Sequence, residues 1–449
     1  MIQEVQDTRL QFYLKRYIRE HCTTAENYTL RNLLSCGTKI AQAPGHKAGV
    51  FLLANQEQAK FWGVLSCKNA WACPVCSARK MAGYASEIAC LIEALKEKNQ
   101  WAFMVTLSVP HTSTMSCEET LEILYNTWKK FNSRGNKTML HAKINGWKDK
   151  DPFSNFCETF NCTHRVRVGE FTWGKHGWHP HFHCLFFVDA DKFNKVLDWE
   201  EVLLKRWREL SKRETLRYWN KIYPDRKEKN KHRVEIMYKW LSCDMKNATG
   251  KESRGLFISK NANGIIKQET SMYICGWGAD KELTGNYKNK ASHADGHYTP
   301  YQLLEIGANQ NNEKFMRLYI EYCLTIYKRK HMRINFSKPC RTLIKTWKQT
   351  NKFTEFIKKK FESDKKKLEW KILCWFTKEE WFKICELDRK FPIKHNILAL
   401  STLQNKNFLE RQQLVAEYLE FYNIFVLEKE VHRLSSLVLE MFNSSLKVA

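Results

Sequence analysis

The sequence predicts an α+β fold in which an antiparallel sheet is flanked by helices. Segment 163–173 alternates as a strand does, and the more apolar segments 102–108 and 181–188 are also predicted to be strands. Segments with apolar residues at helical spacing lie at 117–131 and 191–213. One short loop joins the second and third strands, which favours a hairpin, so we expect these strands to form the centre of the sheet.

The elements outside this sheet follow from the same signals. Apolar runs at 49–53 and 61–64 predict a pair of short strands, and an amphipathic stripe at 79–98 predicts a helix. Ser116 followed by Glu119 has the pattern of a capping box at the start of a helix. The segment after the lysine-rich stretch 351–367 is expected to form a helical C-terminal tail.

The charge of the chain indicates a polyanionic partner. Its 449 residues include 74 Lys and Arg against 48 Asp and Glu, a net charge of +26. Cations that neutralise phosphates release condensed counterions, which favours nucleic-acid binding. No apolar run is long enough to cross a bilayer, and the polar N-terminus is unlike a signal peptide. We therefore expect no membrane partner and a cytoplasmic location, where the 16 cysteines remain reduced.

Four cysteines have the spacing of a structural zinc site. Cys73 and Cys76 form a Cys-x2-Cys knuckle, and Cys67 precedes it closely. A tetrahedral site needs a fourth ligand, for which Cys36 is the best candidate and His46 the rival. Some of these cysteines would otherwise be ordinary small buried residues.

The elements divide the chain into four regions. The N-terminal region with the zinc-binding unit and its helix covers 1–98, and the sheet domain covers 99–310. A helical extension follows at 311–350, and a basic linker with the helical tail occupies 351–449.

A histidine-rich strand predicts a second metal site. Residues i and i+2 of a strand point to the same face, so His181 and His183 present two imidazoles side by side. Pro180 is best placed at the first residue of the strand, which leaves His179 at its edge, facing either the ligands or a substrate. Glu170 on the preceding strand is the candidate third ligand, with an Arg-paired strand carboxylate as the alternative.

Two further patterns are weaker on their own. Glu269 and Tyr273 are four residues apart and would stack on one face of a helix. The stretch 205–233 mixes cations with Trp207, Tyr218 and Trp219, which suits single-stranded nucleic acid, although a solvated helix face is the alternative. The candidate DNA-binding residues at its start are Lys205, Arg206, Arg208, Lys212 and Arg213.

In their order along the chain, these segments resemble the HUH endonucleases, and among them the rolling-circle replication initiators of small bacterial plasmids. Residues 106–111 are similar to the first family motif, a strand ending in His111. Residues 177–183 resemble the second motif, two histidines around one hydrophobic residue, and 272–278 resemble the nucleophile segment. The resemblance covers roughly 36–345 and does not reach the tail.

The resemblance implies an HUH endonuclease domain at 99–310 that nicks single-stranded origin DNA. Tyr273 would attack a phosphodiester, leaving a 5′-phosphotyrosine on the protein and a free 3′-OH as primer. It implies that His181 and His183 hold Mg²⁺ or Mn²⁺, and that Glu269 activates water to end the cycle. His111 would then contact the substrate or the ligands. The expected partners are origin DNA and the host replication helicase and polymerase.

One position departs from the family pattern. Gly276 stands where the family usually has a lysine, three residues after the nucleophile, and Lys267 or Lys281 are its candidate substitutes. Two other hypotheses therefore stand beside the nickase. One is a non-catalytic, zinc-dependent DNA- or RNA-binding regulator of replication, and the other is a transposase or relaxase of the HUH class.

Overall fold

In this computed structural model the described residues are 3–41, 49–132, 151–247, 255–259, 283, 296–329, 334–362, 370–422 and 424. They belong to two compact units. The first unit comprises Met1–Gly83, Leu303–Tyr327 and Lys359–Ala449, and the second comprises Tyr84–Gln302 and Lys328–Lys358. Each unit combines helices with one antiparallel sheet, so the expected α+β fold with antiparallel pairing is confirmed.

The strands are β1 (Val50–Ala54), β2 (Ala59–Trp62), β3 (Gln100–Ser108), β4 (Arg165–Gly174), β5 (Gly177–Asp189), β6 (Leu256–Ile258), β7 (Asn335–Phe336) and β8 (Lys371–Phe376). The helices are α1 (Gln3–His21), α2 (Thr24–Thr29), α3 (Arg31–Leu34), α4 (Pro74–Lys96), α5 (Cys117–Phe131), α6 (Pro152–Thr159), α7 (Glu200–Ile222), α8 (Lys227–Asn247), α9 (Pro300–Asn309), α10 (Glu313–Lys328), α11 (Lys338–Trp347), α12 (Asn351–Glu362), α13 (Lys378–Leu387), α14 (Ile393–Ser401) and α15 (Phe408–Glu420). Short 3-10 helices at Ala190–Trp199 and Pro224–Arg226 flank α7.

The first unit is built on a three-stranded sheet of order β2-β1-β8. The described part of the expected helical tail is mostly helical but also contains β8, which pairs antiparallel with β1 and buries most of its side chains. Six residues are too few to show a clear period, and the pairing partner lies more than 300 residues away in the sequence. Helices α13 to α15 cover this sheet, and Trp381 of α13 is fully buried in its core.

The second unit is built on a five-stranded sheet of order β6-β3-β5-β4-β7. β5 lies between β3 and β4, with Thr106 of β3 and Val168 of β4 on either side of His183. Phe182 and Cys184 are fully buried, whereas His181 and His183 are only partly buried. The apolar face of β5 therefore forms the core, and the histidine face is accessible from solvent.

Pro180 does not begin its strand as expected, because β5 starts at Gly177 and Pro180 lies opposite Phe171 of β4. The pairing between β3 and β5 ends at Ser108, opposite His181. Beyond that point β5 has a neighbour on one side only, and a proline is tolerated at such an edge. The longer strand places His179 inside β5, in line with the two other histidines.

Helix α7 packs on the sheet through its apolar side. Trp207 is fully buried and its indole N–H donates a 2.7 Å hydrogen bond to the carbonyl of Ser108, at the end of β3. Helix α5 begins with the expected capping box between Ser116 and Glu119. Along the described residues, no helix combines the length and apolar character that crossing a bilayer requires.

Candidate metal centres

Glu170, His181 and His183 converge at the middle of the second unit's sheet. The register places Glu170 of β4 directly opposite His181 of β5, with His183 on the same face. The Oε2 atom of Glu170 lies 3.2 Å from Nε2 of His181 and 2.6 Å from Nε2 of His183. Ligands on one face of a six-coordinate ion with bonds of about 2.1 Å are about 3 Å apart. This group could therefore hold a metal ion with little rearrangement.

Each imidazole has a second partner that fixes its orientation. Nδ1 of His183 lies 3.0 Å from the hydroxyl of Thr106, and Nδ1 of His181 lies 3.3 Å from the carbonyl of His179. A carbonyl only accepts, so His181 must carry its proton on Nδ1 when this bond forms. The charged carboxylate of Glu170 also only accepts, so Nε2 of both rings donates to it, and a metal ion bound here would replace these protons.

The carboxylate of Glu170 is held in its charged form. Burial alone would raise its pKa, but the charges and hydrogen bonds of His181 and His183 outweigh burial and hold the pKa well below its usual range. A deprotonated carboxylate beside two imidazoles is a donor set typical of divalent ions that keep open coordination positions.

His111 and His179 lie next to this group rather than in it. Their rings stack with centroids 4.9 Å apart, and the ring of His179 lies 5.1 Å from that of His181. Burial is the main cause that lowers the pKa of both rings, and repulsion from neighbouring histidines adds to it. Two neutral imidazoles thus extend the metal face toward the start of β5.

Sequence reasoning missed a fifth histidine on this face, His297. Tyr298 forms a pair of 2.8 Å backbone hydrogen bonds with Trp173 of β4, which anchors the segment before α9 to the sheet. A Cβ atom at Gly174 would lie 2.8 Å from Nδ1 of His297, so this glycine makes room for the ring. His297 repels the charged forms of His111 and His179. In the sequence, only the position of His297 next to the start of α9 could have pointed to this residue.

Cys36, Cys67, Cys73 and Cys76 form the second group, in the first unit. The sulfur of Cys76 lies 3.5 Å from that of Cys36 and 3.6 Å from that of Cys67, and Cys73 lies 3.7 Å from Cys36. Four sulfurs bonded tetrahedrally to zinc at 2.3 Å are roughly 3.8 Å apart. The group could therefore hold a metal ion. His46, the rival ligand, lies outside the described residues.

The knuckle is shaped by its own chain and by α10. The side-chain oxygen of Asn69 accepts hydrogen bonds from the backbone N–H groups of Trp71 and Ala72. Tyr319 and Tyr322 donate their hydroxyls to the carbonyls of Ala72 and Trp71, at 3.2 and 3.0 Å. These bonds set the turn that brings the two knuckle sulfurs to one side.

Positively charged groups surround the first cysteine. Lys15 donates to the carbonyl of Cys36 and Lys394 to the carbonyl of Gly37, and both lysines are about 95% buried. Hydrogen bonds from Cys67, Cys73 and Cys76 hold the pKa of Cys36 far below its usual value, whereas the hydrogen bonds with Cys36 raise the pKa of Cys67 and Cys73. The thiolate is the form that binds metal.

The candidate DNA-binding residues of α7 fall into two classes. Lys205, Lys212 and Arg213 are exposed, and Arg208 is partly buried. Arg206 is buried, and its guanidinium pairs with Asp151 at 2.8 Å. Its assignment to DNA binding is therefore corrected, because this side chain fastens α7 to the start of α6. Trp207 is likewise committed to the core and offers no surface for base stacking.

The expected nucleophile segment lies outside the described residues. This holds for Tyr273, Glu269, Gly276 and the candidate lysines Lys267 and Lys281. Their roles remain predictions from sequence.

No family model matches the chain, and no solved structure matches it. A neomycin resistance protein from Streptomyces cyanogenus is 30% identical over 136 residues. This similarity covers 28% of the chain and 31% of the relative's length, so it shows no family.

Proposed function

We propose that the protein nicks single-stranded DNA at a replication origin by metal-assisted attack of Tyr273 on a phosphodiester. The reaction breaks the P–O3′ bond, joins the 5′ phosphate to the tyrosine oxygen and leaves a free 3′-OH as primer. The observation that carries this proposal is the group of Glu170, His181 and His183 on an accessible sheet face. The order of the sequence motifs and the charge of +26 support it.

The metal group is suited to Mg²⁺ or Mn²⁺. A divalent ion bound there would polarise the scissile phosphate and stabilise the charge that develops on its oxygens. The protein's part is to hold three donors in place, through Thr106 on one imidazole and the His179 carbonyl on the other. His111, His179 and His297 then line the side on which a phosphate approaches.

The roles of the remaining residues rest on the family resemblance. Tyr273 is the nucleophile of this proposal, and Glu269 is the base that takes a proton from water in the closing step. A phenol with an ordinary pKa of about 10 is a poor nucleophile at neutral pH, so it depends on nearby positive charge. Gly276 removes the usual family lysine, and Lys267 or Lys281 take its place in this proposal.

The DNA contacts proposed for α7 are its exposed cations, Lys205, Arg208, Lys212 and Arg213. The cysteine group is proposed to bind zinc, whose binding energy contributes to folding of the first unit. Resistance to neomycin is not proposed for this chain, because the similarity to the protein of that name covers less than a third of either sequence.

Covalent capture of DNA tests the proposal. The purified protein is incubated with 5′- and 3′-labelled single-stranded origin DNA and Mn²⁺, then resolved on a denaturing gel. We expect a protein–DNA adduct that carries only the 3′ label and disappears in Tyr273→Phe and in His183→Ala. Tyr287→Phe and Tyr298→Phe are the matched controls and should retain it. If no divalent ion yields an adduct, the non-catalytic DNA- or RNA-binding hypothesis replaces this one.

A further inference from the structure

The second unit contains an open cleft of about 760 Å³ that is separate from the metal group. The start of β4, the first turns of α11 and the residue Lys98, just after α4, line it. Arg165 lies five residues before Glu170 on β4, which corresponds to about 17 Å along a strand. The cleft therefore lies at the start of β4, whereas Glu170 lies near the middle of the same strand and points to the opposite face of the sheet.

Positive charge dominates the walls of this cleft. Lys98, His164, Arg165 and Lys338 line it, and none of its lining residues is acidic. Within the described part of the chain, no carboxylate pairs with Lys98, Arg165 or Lys338. The guanidinium of Arg165 instead contacts the sulfur of Cys157 at 3.8 Å and the ring of Phe153 at 5.5 Å. Burial and the nearby Lys98 lower the pKa of His164.

Helix α11 adds further donors to the same cleft. The first residue of the helix is Lys338, and the hydroxyl of the preceding Ser337 makes no hydrogen bond that would cap the helix. The Ser337 hydroxyl instead accepts from the backbone N–H of Arg165 at 3.2 Å. Lys338 and Thr342 are four residues apart, so both reach the cleft from one side of the helix. The positive end of the helix dipole reinforces the lysines and Arg165.

We propose that this cleft binds backbone phosphates of the DNA strand whose scissile phosphate lies at the metal group, and the proposal thus rests on the proposed function. Cations and hydroxyls spread over an open surface suit successive phosphates and sugars. No Phe, Tyr or Trp lines the cleft, so it contacts the strand mainly through phosphates and sugars and without reading sequence. The distance between the cleft and Glu170 corresponds to several nucleotides of single-stranded DNA.

The helix itself supplies a matched control for a binding test. Arg341 and Lys345 are exposed on α11 but do not line the cleft, whereas Lys338 does. The cleft variant combines Lys98→Gln with Lys338→Gln, and the control variant combines Arg341→Gln with Lys345→Gln. Both remove two positive charges from the full-length protein. The affinity for a fluorescent 20-nucleotide single strand is measured by anisotropy at several salt concentrations, without added Mg²⁺ or Mn²⁺.

We expect the cleft variant to bind about tenfold more weakly at 0.1 M salt, and the control variant to lose no more than about twofold. The slope of log affinity against log salt should fall by about 1.4 in the cleft variant, since each phosphate contact with a single strand contributes about 0.7. Equal losses in the two variants, with circular dichroism showing both folded, would overturn the proposal.

The covalent adduct separates this inference from the proposed function. A wild-type protein that shows the cleft-dependent affinity but forms no adduct contradicts the nicking reaction and leaves the cleft assignment standing. A normal adduct together with equal affinities in the two double variants contradicts the cleft assignment alone.

Discussion

Every imidazole in the metal group has one nitrogen engaged by the protein and the other directed at Glu170. This pairing follows from the sheet, because Thr106 and Glu170 lie on the strands that flank β5. The sequence predicted that His181 and His183 share a face and that Glu170 stands beside them. It did not indicate Thr106 or His297, because their contacts depend on strand register and on a distant segment.

Removing the hydroxyl of Thr106 should weaken metal binding without touching a ligand. Thr106→Val leaves Nδ1 of His183 without its partner, and loss of such a supporting contact typically costs 10- to 100-fold in metal affinity. Mn²⁺ affinity can be measured by electron paramagnetic resonance of the free ion. Thr106→Ser keeps the hydroxyl and should restore binding to within about threefold. Equal Mn²⁺ affinity in wild type and Thr106→Val would contradict this role.

Replacing the carboxylate should have a larger effect. Glu170→Gln keeps the shape but removes the charge that the two imidazoles stabilise, so Mn²⁺ binding should fall by at least about 100-fold. Glu201→Gln, an exposed position on α7, makes the same chemical change away from the site and should bind Mn²⁺ normally. A tightly bound ion in Glu170→Gln would place the metal elsewhere in the protein.

At the scale of elements, strands and helices with a clear period were predictable, and contacts between distant segments were not. The predicted helix 117–131 agrees with α5, and the predicted strands of the histidine hairpin agree with β4 and β5 within a few residues. β8 was missed because its partner β1 is remote in sequence. Arg206 was misread because a cation in a basic stretch carries no sign of the buried Asp151.

Arg206 should therefore affect stability rather than DNA binding. Removing one partner of a buried pair leaves an uncompensated charge and costs about 3 kcal/mol. Arg206→Gln should thus lower the free energy of unfolding by about that amount, measured by urea denaturation, while the salt dependence of DNA binding stays unchanged. Arg213→Gln, on the exposed side of α7, should instead leave the free energy of unfolding unchanged and reduce the salt dependence of DNA binding. A stable Arg206→Gln protein with weakened DNA binding would restore the original prediction.

Lys394 of α14 should help the first unit to retain its metal. Its ammonium donates to the Gly37 carbonyl next to Cys36 and lies 3.6 Å from Asp388, and it would offset part of the negative charge of the thiolates around a bound zinc ion. Lys394→Met should release zinc to a chromogenic chelator roughly tenfold faster than wild type. Lys390→Met alters an exposed lysine just before the same helix and serves as control. Identical release rates in the two variants would show that Lys394 has no influence on the site.

At the scale of the whole molecule, the described residues include two groups that could hold a metal ion, one in each unit, and each group depends on residues far apart in sequence. The cysteine group contacts α1, α10 and α14 through side chains of the first unit. The histidine group is contained in β3 to β5. The net charge of +26 and the order of the motifs could be read from the sequence. That N- and C-terminal segments belong to one unit could not be predicted from the sequence and is seen only in the structure.

The proposed function requires that the histidine group and Tyr273 act on the same phosphate. After incubation with single-stranded origin DNA and Mn²⁺, tryptic digestion and mass spectrometry identify the peptide that carries a nucleotide. We expect a phosphotyrosine on the peptide 268–281 in wild type, and no modified peptide in Glu170→Gln. A nucleotide on any other tyrosine, or an adduct that forms without the metal group, would contradict it.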